Sequence, residues 1–260
     1  MNNVLVIASK ELRSYFSSPI AYVVVGLFSV LFGYFFVVSL SFFVRISMQG
    51  GMGGPLTVNL NEFLLRPLLG NTAVILLFVL PMITMRTYAE EKRSGTIELL
   101  LTSPLADFEI ILGKFLGAMA LFGLMLGVTA LHMGILFWYG NAPGNSQPEL
   151  APLLSGYLGL LLMGGSFISL GLLISSATKN QVVAGTITFA VLLLFWVISW
   201  MSESATSTTQ SVLAYLSILN HFEDFSKGVI DTKHLAYYLS FISFSLFMTA
   251  KSMDSERWKG

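Results

Sequence analysis

Long runs of apolar residues, parted by short charged or glycine-rich breaks, dominate this sequence. The first, residues 20–44, holds 25 residues without a charge, where roughly 20 apolar residues suffice to cross the hydrocarbon of a bilayer. Further runs at 67–85, 110–138, 153–176, 182–201 and 234–250 follow it. The pattern predicts an all-α membrane protein with six transmembrane helices, the second kinked at Pro81. Ahead of the first span, Val4, Leu5, Ala8, Leu12, Tyr15 and Phe16 share one helical face, and Ser9, Lys10, Arg13 and Ser17 the other. An amphipathic helix lying flat in the membrane interface is expected there, ended by Ser17-Ser18-Pro19. Lys10, Glu11 and Arg13 also interrupt any signal-peptide core in residues 1–19.

The breaks differ in kind. Residues 50–55 (GGMGGP) read as a flexible loop, and 56–66 as a short surface helix leading into span 2. Residues 139–152 contain no Lys or Arg, and 177–181 form a very short turn bearing Lys179. Residues 202–233 mix a polar TSTTQS stretch, an apolar run (212–219) too short to cross, and the polar-aromatic NHFEDF (220–225). They read either as re-entrant half-helices, shielded by protein at membrane depth, or as a loop on the surface. Gly113/Gly117 and Gly123/Gly127 stand at GxxxG spacing in span 3, and span 4 carries Gly164, Gly165, Ser166, Ser169 and Gly171. Small residues at such spacing let helices approach closely in lipid.

Composition agrees with the pattern. The 260 residues are 55% hydrophobic and only 11% charged, against about a quarter charged in soluble domains. Lys+Arg and Asp+Glu balance at 14 each, which points to no nucleic-acid partner, and the absence of cysteine excludes disulfides and thiolate metal sites. With six spans, ten of the Lys and Arg residues fall on the side of the termini and four on the other. The positive-inside rule then places both termini and the charged loop at 87–107 in the cytoplasm of a multi-pass protein. No P-loop, H-E-x-x-H or G-x-S-x-G motif occurs, and His132, His221 and His234 are scattered. His132, inside span 3, is expected to snorkel or to hydrogen-bond a neighbour. No ionisable residue falls near the midplane of a span, which argues against an ion-coupled carrier or an intramembrane enzyme. No catalytic, cofactor or metal residues are assigned, and the energy source belongs on another polypeptide.

The loop at 87–107, TYAEEKRSGTIELLLTSPLAD, is one of the two densest charge clusters in the chain. Arg86, Glu90, Lys92 and Arg93 mark span 2 leaving the bilayer, still helical; Ser94-Gly95 breaks that helix. Thr96 is placed to cap the next one, and Glu98 suits its positive dipole end. Ile97, Leu99, Leu100 and Leu101 make that short helix apolar, and Thr102-Ser103-Pro104 stops it. Asp107 then caps span 3, with Glu109 in its first turn. Such a helix either lies on lipid or fills a groove in a partner; its spacing does not choose.

The segment from Tyr88 to Pro104 (YAEEKRSGTIELLLTSP) resembles the signature of ABC-2 type transporter permeases, and the six-span plan extends the likeness over nearly the whole chain, read as a single domain, 1–260. Residues 216–231 (LSILNHFEDFSKGVID) are most similar to the gliding-motility subfamily, with the copper-maturation permease of nitrous oxide reductase clusters next. The resemblance implies that helix 96–103 is a coupling helix docking in a groove of a separate ABC ATPase. Gly95, Thr96, Ile97, Glu98, Leu99, Leu100, Ser103 and Pro104 would form it, and Glu90, Glu91 and Arg93 would pair with the ATPase or position the helix. The N-terminal helix, with Lys10, Glu11 and Arg13, would be a connecting helix beside it. Two permease chains, identical or paralogous, and two ATPases would make the working unit, with spans 2 and 5 at the seam. ATP and Mg would sit on the ATPase and no cofactor on this chain. Residues 211–227, with Asn220, His221, Phe222 and Phe225, would be a re-entrant outer gate. The expected setting is the bacterial cytoplasmic membrane and the expected direction export. The alternative is a scaffold that recruits a soluble ATPase and has no transport path.

Overall fold

The computed structural model describes residues 2–50, 59–101, 104–140, 148–204 and 207–257. In chain order these form α1 (Asn2–Ser17), α2 (Pro19–Gly50), a π-helical turn (Asn61–Leu65), α3 (Arg66–Thr84), α4 (Ala89–Ser94) and α5 (Thr96–Leu101). Then come α6 (Asp107–Gly140), α7 (Leu150–Ser176), α8 (Gln181–Ser204), α9 (Ser207–Leu216), α10 (Ile218–Ser226) and α11 (Thr232–Arg257). Among the described residues there is no strand. Residues 51–55 of the expected glycine loop and 141–147 of the break at 139–152 lie outside them.

Five helical stretches are long and apolar enough to cross a bilayer: Pro19–Met48, Asn61–Ser94, Asp107–Tyr139, Leu150–Ser176 and Gln181–Ser202. The expected sixth, α11, falls short on composition, because only residues 235–250 separate His234 from Lys251. Its path is nevertheless defined. It starts where His234 meets Asp224 of α10, and near its end Ser252 Oγ donates to the carbonyl of Ser176, the last residue of α7. Thus α11 runs beside α7 along its whole length.

α7 is the axis of the bundle. In lipid, apolar surface gains nothing by leaving its surroundings, so helices associate through close packing. A Cβ added at Gly156 would come within 2.5 Å of Leu69 of α3, at Gly164 within 2.2 Å of Phe122 of α6, and at Gly159 within 2.7 Å of Phe225 of α10. α3 and α7 are accordingly 67% buried over their apolar windows, against 28% for α2 and 22% for α8. Span 2 therefore sits inside the protomer, and α8 is the more open helix. The tightest approach is at Gly171, where a Cβ would lie 2.1 Å from Thr84 Oγ1, a hydroxyl already donating to Leu80 O at 3.1 Å. Gly171→Val is expected to cost on the order of 2 kcal/mol through overpacking, or roughly 4–8 °C in Tm for a chain of this size. Gly127→Val, where a Cβ meets nothing within 4 Å, should leave Tm unchanged, and melting curves of the two variants in detergent check the contrast.

Several local expectations are corrected. α1 does not lie flat as an isolated interfacial helix. Asn3 Nδ2 reaches Glu109, Ile7 covers Gly113 and Glu11 covers Gly117, so α1 runs parallel to the opening turns of α6. Its buried stripe is Ile7, Glu11 and Tyr15, and Leu5 of the expected apolar face is 62% exposed. Of the two GxxxG pairs, only Gly113/Gly117 packs a helix. The part of 56–66 that is described is no surface helix, since Leu64 and Leu65 are fully buried beneath α2. α3 ends at Thr84, three residues past Pro81, and a turn at 85–88 joins it to α4, so that the helical stretch of span 2 runs on to Ser94 as expected. His132 neither snorkels nor finds a partner: its ring packs edge-on against Phe32 and Phe36, and its buried Nδ1 makes no hydrogen bond.

Candidate functional site

The two ends of α7 hold two separate polar clusters. At its C-terminal end, Ser175 Oγ donates to Met85 O at 3.1 Å and accepts from the amides of Tyr88 and Ala89, each at 3.1 Å. One buried hydroxyl thus satisfies the backbone groups exposed where α3 gives way to α4. Gly95 takes the left-handed conformation, φ 74°, between α4 and α5, a turn glycine makes without a Cβ penalty. Thr96 does not cap α5 through a backbone amide; its hydroxyl bonds Ser94 Oγ at 2.9 Å. At the start of α6, Glu109 Oε2 accepts from the amide of Ala106 at 3.2 Å.

α5 is anchored on one side and open on the other. Ile97 is 9% exposed and joins the main apolar cluster, while Leu99 is 74% exposed. Thr96, Glu98 and Pro104 are exposed as well. The side chain of Leu100, and Ser103, lie outside the described residues. Among the acids expected to meet a partner, Glu90 bonds Arg86 at 2.7 Å, which also reaches Ser18 Oγ at 3.0 Å. Arg93 is exposed on α4, and Lys10 and Arg13 are exposed on α1.

Beneath this surface lies an ion cluster that motif reading missed. Lys114 of α6, 2% exposed, donates to Glu91 Oε1 at 2.8 Å and to Thr87 O at 3.0 Å. It reaches Glu11 Oε2 at 3.5 Å, and its ammonium stands 5.0 Å over the Tyr88 ring. Tyr15 bonds Thr87 at 3.2 Å beside it. One cation therefore joins α1, α6 and α4. Burial raises the pKa of Glu11, Lys114 pulls it back, and repulsion from Glu91 adds to the rise, leaving it above the ordinary carboxyl value. At 3.5 Å the attraction does not offset the loss of water. The signal available in the sequence was Lys114 itself, the one charge within the apolar part of span 3.

At the other end of α7, α10 lies against Gly159 and Ser155, whose hydroxyl donates to Phe225 O at 2.7 Å. α7 spans 27 residues, about 40 Å, so this cluster and the α4–α5 handle occupy opposite ends of the bundle. Ser217 caps α10 by accepting from the Asn220 amide at 3.2 Å, and Asn220 Nδ2 donates to Ser202 at 2.9 Å. Phe222 and Phe225 are 4% and 0% exposed. His221 and His234, distant in sequence pattern, hydrogen-bond each other here. A polar cavity of about 230 Å³ opens at the C-terminal end of α10, lined by Asn61, Glu62, Arg66, Glu149 and Lys227 among others. Among the described residues no three metal-ligating side chains converge.

No curated protein matches this sequence closely enough to count as a relative. The sequence profile described as ABC-2 family transporter protein matches residues 5–251. That match spans every described helix from α1 to α11, handle and ion cluster included, and on it the chain belongs to the ABC-2 family of membrane transporter proteins.

Proposed function

We propose that this chain is the permease subunit of an ABC exporter and that α5 is the helix through which a separate ATPase moves it. One observation carries the reading: α5 holds Ile97 in the core and turns Leu99 outward, on a mount tied to α1 and α6 by Lys114. A push on α5 would pass through α4 and that buried cation to two long helices rather than be lost in a loop. α11, running beside α7 from one end of the bundle to the other, serves as the sixth crossing. Its modest hydropathy is tolerable because its polar residues, such as Thr249, Ser245 and Tyr238, are buried against protein and not lipid. The excess of Lys and Arg toward the handle places that end in the cytoplasm of a bacterial inner membrane. ATP and Mg then belong to the ATPase, and a second permease, identical or paralogous, would meet the open face of α8. α9 and α10 act as the re-entrant gate at the far end, and the likeness of residues 216–231 to the gliding-motility subfamily supports that branch of the family.

The test is co-purification with the ATPase encoded beside it, followed by hydrolysis measured in nanodiscs. Hydrolysis faster than that of the ATPase alone is expected, together with a disulfide between a cysteine placed at Leu99 and one in the ATPase groove. If the Leu99→Cys thiol were labelled by an impermeant reagent from outside intact cells, the reading would fail. Stable association with no change in hydrolysis would leave only a scaffold.

A further inference from the structure

Two imidazoles at the far end of the bundle make three contacts, and those contacts fix the number of protons they hold. His221 and His234 are each 5% exposed. His221 Nε2 lies 2.9 Å from the carbonyl oxygen of Tyr215. A carbonyl only accepts, so that nitrogen carries hydrogen. His234 Nε2 lies 2.8 Å from Asp224 Oδ2, and one hydrogen must stand between them. The two Nδ1 atoms face each other in hydrogen-bond contact, and that bond needs one hydrogen more. Three protons are thus distributed over two rings and a carboxylate, and the trio is neutral whether the extra proton sits on an imidazole or on Asp224. With one proton fewer, two lone pairs would oppose each other in a buried site.

We infer that His221, His234 and Asp224 form a proton-operated clamp, which holds α9 and α10 to α11 while the third proton is bound and releases them when it leaves. The three residues and the Tyr215 carbonyl belong to all three helices: Tyr215 to α9, His221 and Asp224 to α10, His234 to α11. Tyr237 of α11 stacks on His221 at 3.9 Å between ring centroids and donates to Leu216 O at 3.0 Å. α9 otherwise packs on α8, and its Val212 and Tyr215 are 58% and 65% exposed. The other charged groups nearby are already paired. Lys227 bonds Glu223 at 2.6 Å and stands 3.8 Å from Asp224, and Lys233 pairs with Asp231 at 3.1 Å. Among the described residues, α7 presents Pro152, Ser155 and Gly159 to this corner and α8 presents Ser202, while Glu149 at the start of α7 lines the cavity beside Lys227. α3 contributes only Arg66, across the cavity beside Lys227. Burial holds His221 below the ordinary imidazole pKa, with the Tyr215 carbonyl and Asp224 acting against it and His234 and Lys233 acting with it. The clamp is therefore closed in acid and opens as pH rises, whether or not a substrate passes beside it.

The chain contains no cysteine, so a spin-label pair can be placed without removing one. Val212→Cys on α9 and Leu239→Cys on α11 put labels at positions 58% and 54% exposed. In the full chain in nanodiscs, one short interlabel distance is expected near about pH 5.5, and a second, longer population by about pH 8, the range in which imidazoles titrate. His221→Gln combined with His234→Gln should give the same distribution at both values. Asp224→Asn keeps both rings but removes the balancing charge, so its midpoint should move to lower pH by about tenfold in proton concentration. A wild-type distribution indifferent to pH, a response that survives in the double variant, an unmoved midpoint in Asp224→Asn, or closure that needs added zinc instead of protons would each overturn the clamp.

Discussion

Lys114→Met should unlatch α1 and lower the melting temperature on the order of 10 °C, the largest stability loss expected from any single substitution in this chain. The ammonium is 3% exposed and stands between Glu91 and Glu11. Removing it leaves two carboxylates in a poorly hydrated site with no cation, and leaves Thr87 O without its donor. Breaking a buried ion pair from one side typically costs about 3–5 kcal/mol, because the charge left behind has lost both water and partner. In a protein of this size each kcal/mol moves Tm by roughly 2–4 °C. Adding Glu11→Gln and Glu91→Gln to Lys114→Met should recover much of the loss, since neutral amides need no counter-ion. Melting curves of the three chains form the test, and equal melting of wild type and Lys114→Met would show that the cluster carries no load. Stimulation of the ATPase should fall with the single variant and return with the triple, because α4 and α5 are mounted on this cation.

Leu99→Asp should act in the opposite way, leaving the fold intact and removing the partner. Leu99 is 74% exposed on α5, so a carboxylate there costs the isolated chain little. In an apolar groove of a partner it would be desolvated without compensation. Central apolar anchors of interfaces lose about 2 kcal/mol or more on truncation, which is roughly 30-fold in Kd. Titration of the ATPase onto chains in nanodiscs should show at least that loss, with Tm unchanged. Ile97→Asp is the contrast: at 9% exposure it should destabilise the fold itself. Equal affinity for Leu99→Asp and wild type would remove α5 from the docking surface.

What could be read from the sequence follows the range of the physics involved. The length of an uncharged run is a local property, and it located five crossing helices to within a few residues at most ends. The break at Gly95 was equally legible, because a left-handed turn favours a residue without a Cβ. The amphipathic reading of α1 found the helix but assigned its stripe partly wrongly. Period alone grouped Leu5 with Tyr15 and left Glu11 on neither face, whereas the glycines of α6 and the ammonium of Lys114 draw Glu11 inward. The scattered histidines show the same limit, since the return of the chain between α10 and α11 brings His221 against His234.

The sequence by itself determined that this chain lives in lipid, where its five long apolar helices lie, and where a short apolar helix is held apart by charges. Those are decided residue by residue, through transfer free energy and backbone preference. Only the tertiary structure decided which helix becomes the axis, that α11 runs the length of the bundle despite its polar residues, and that Lys114 joins elements 23 and 103 residues away. In a bilayer apolar surface does not choose its neighbour, so those pairings rest on where small residues admit a facing helix and on which buried charges find each other, and neither is written in any one stretch of the chain.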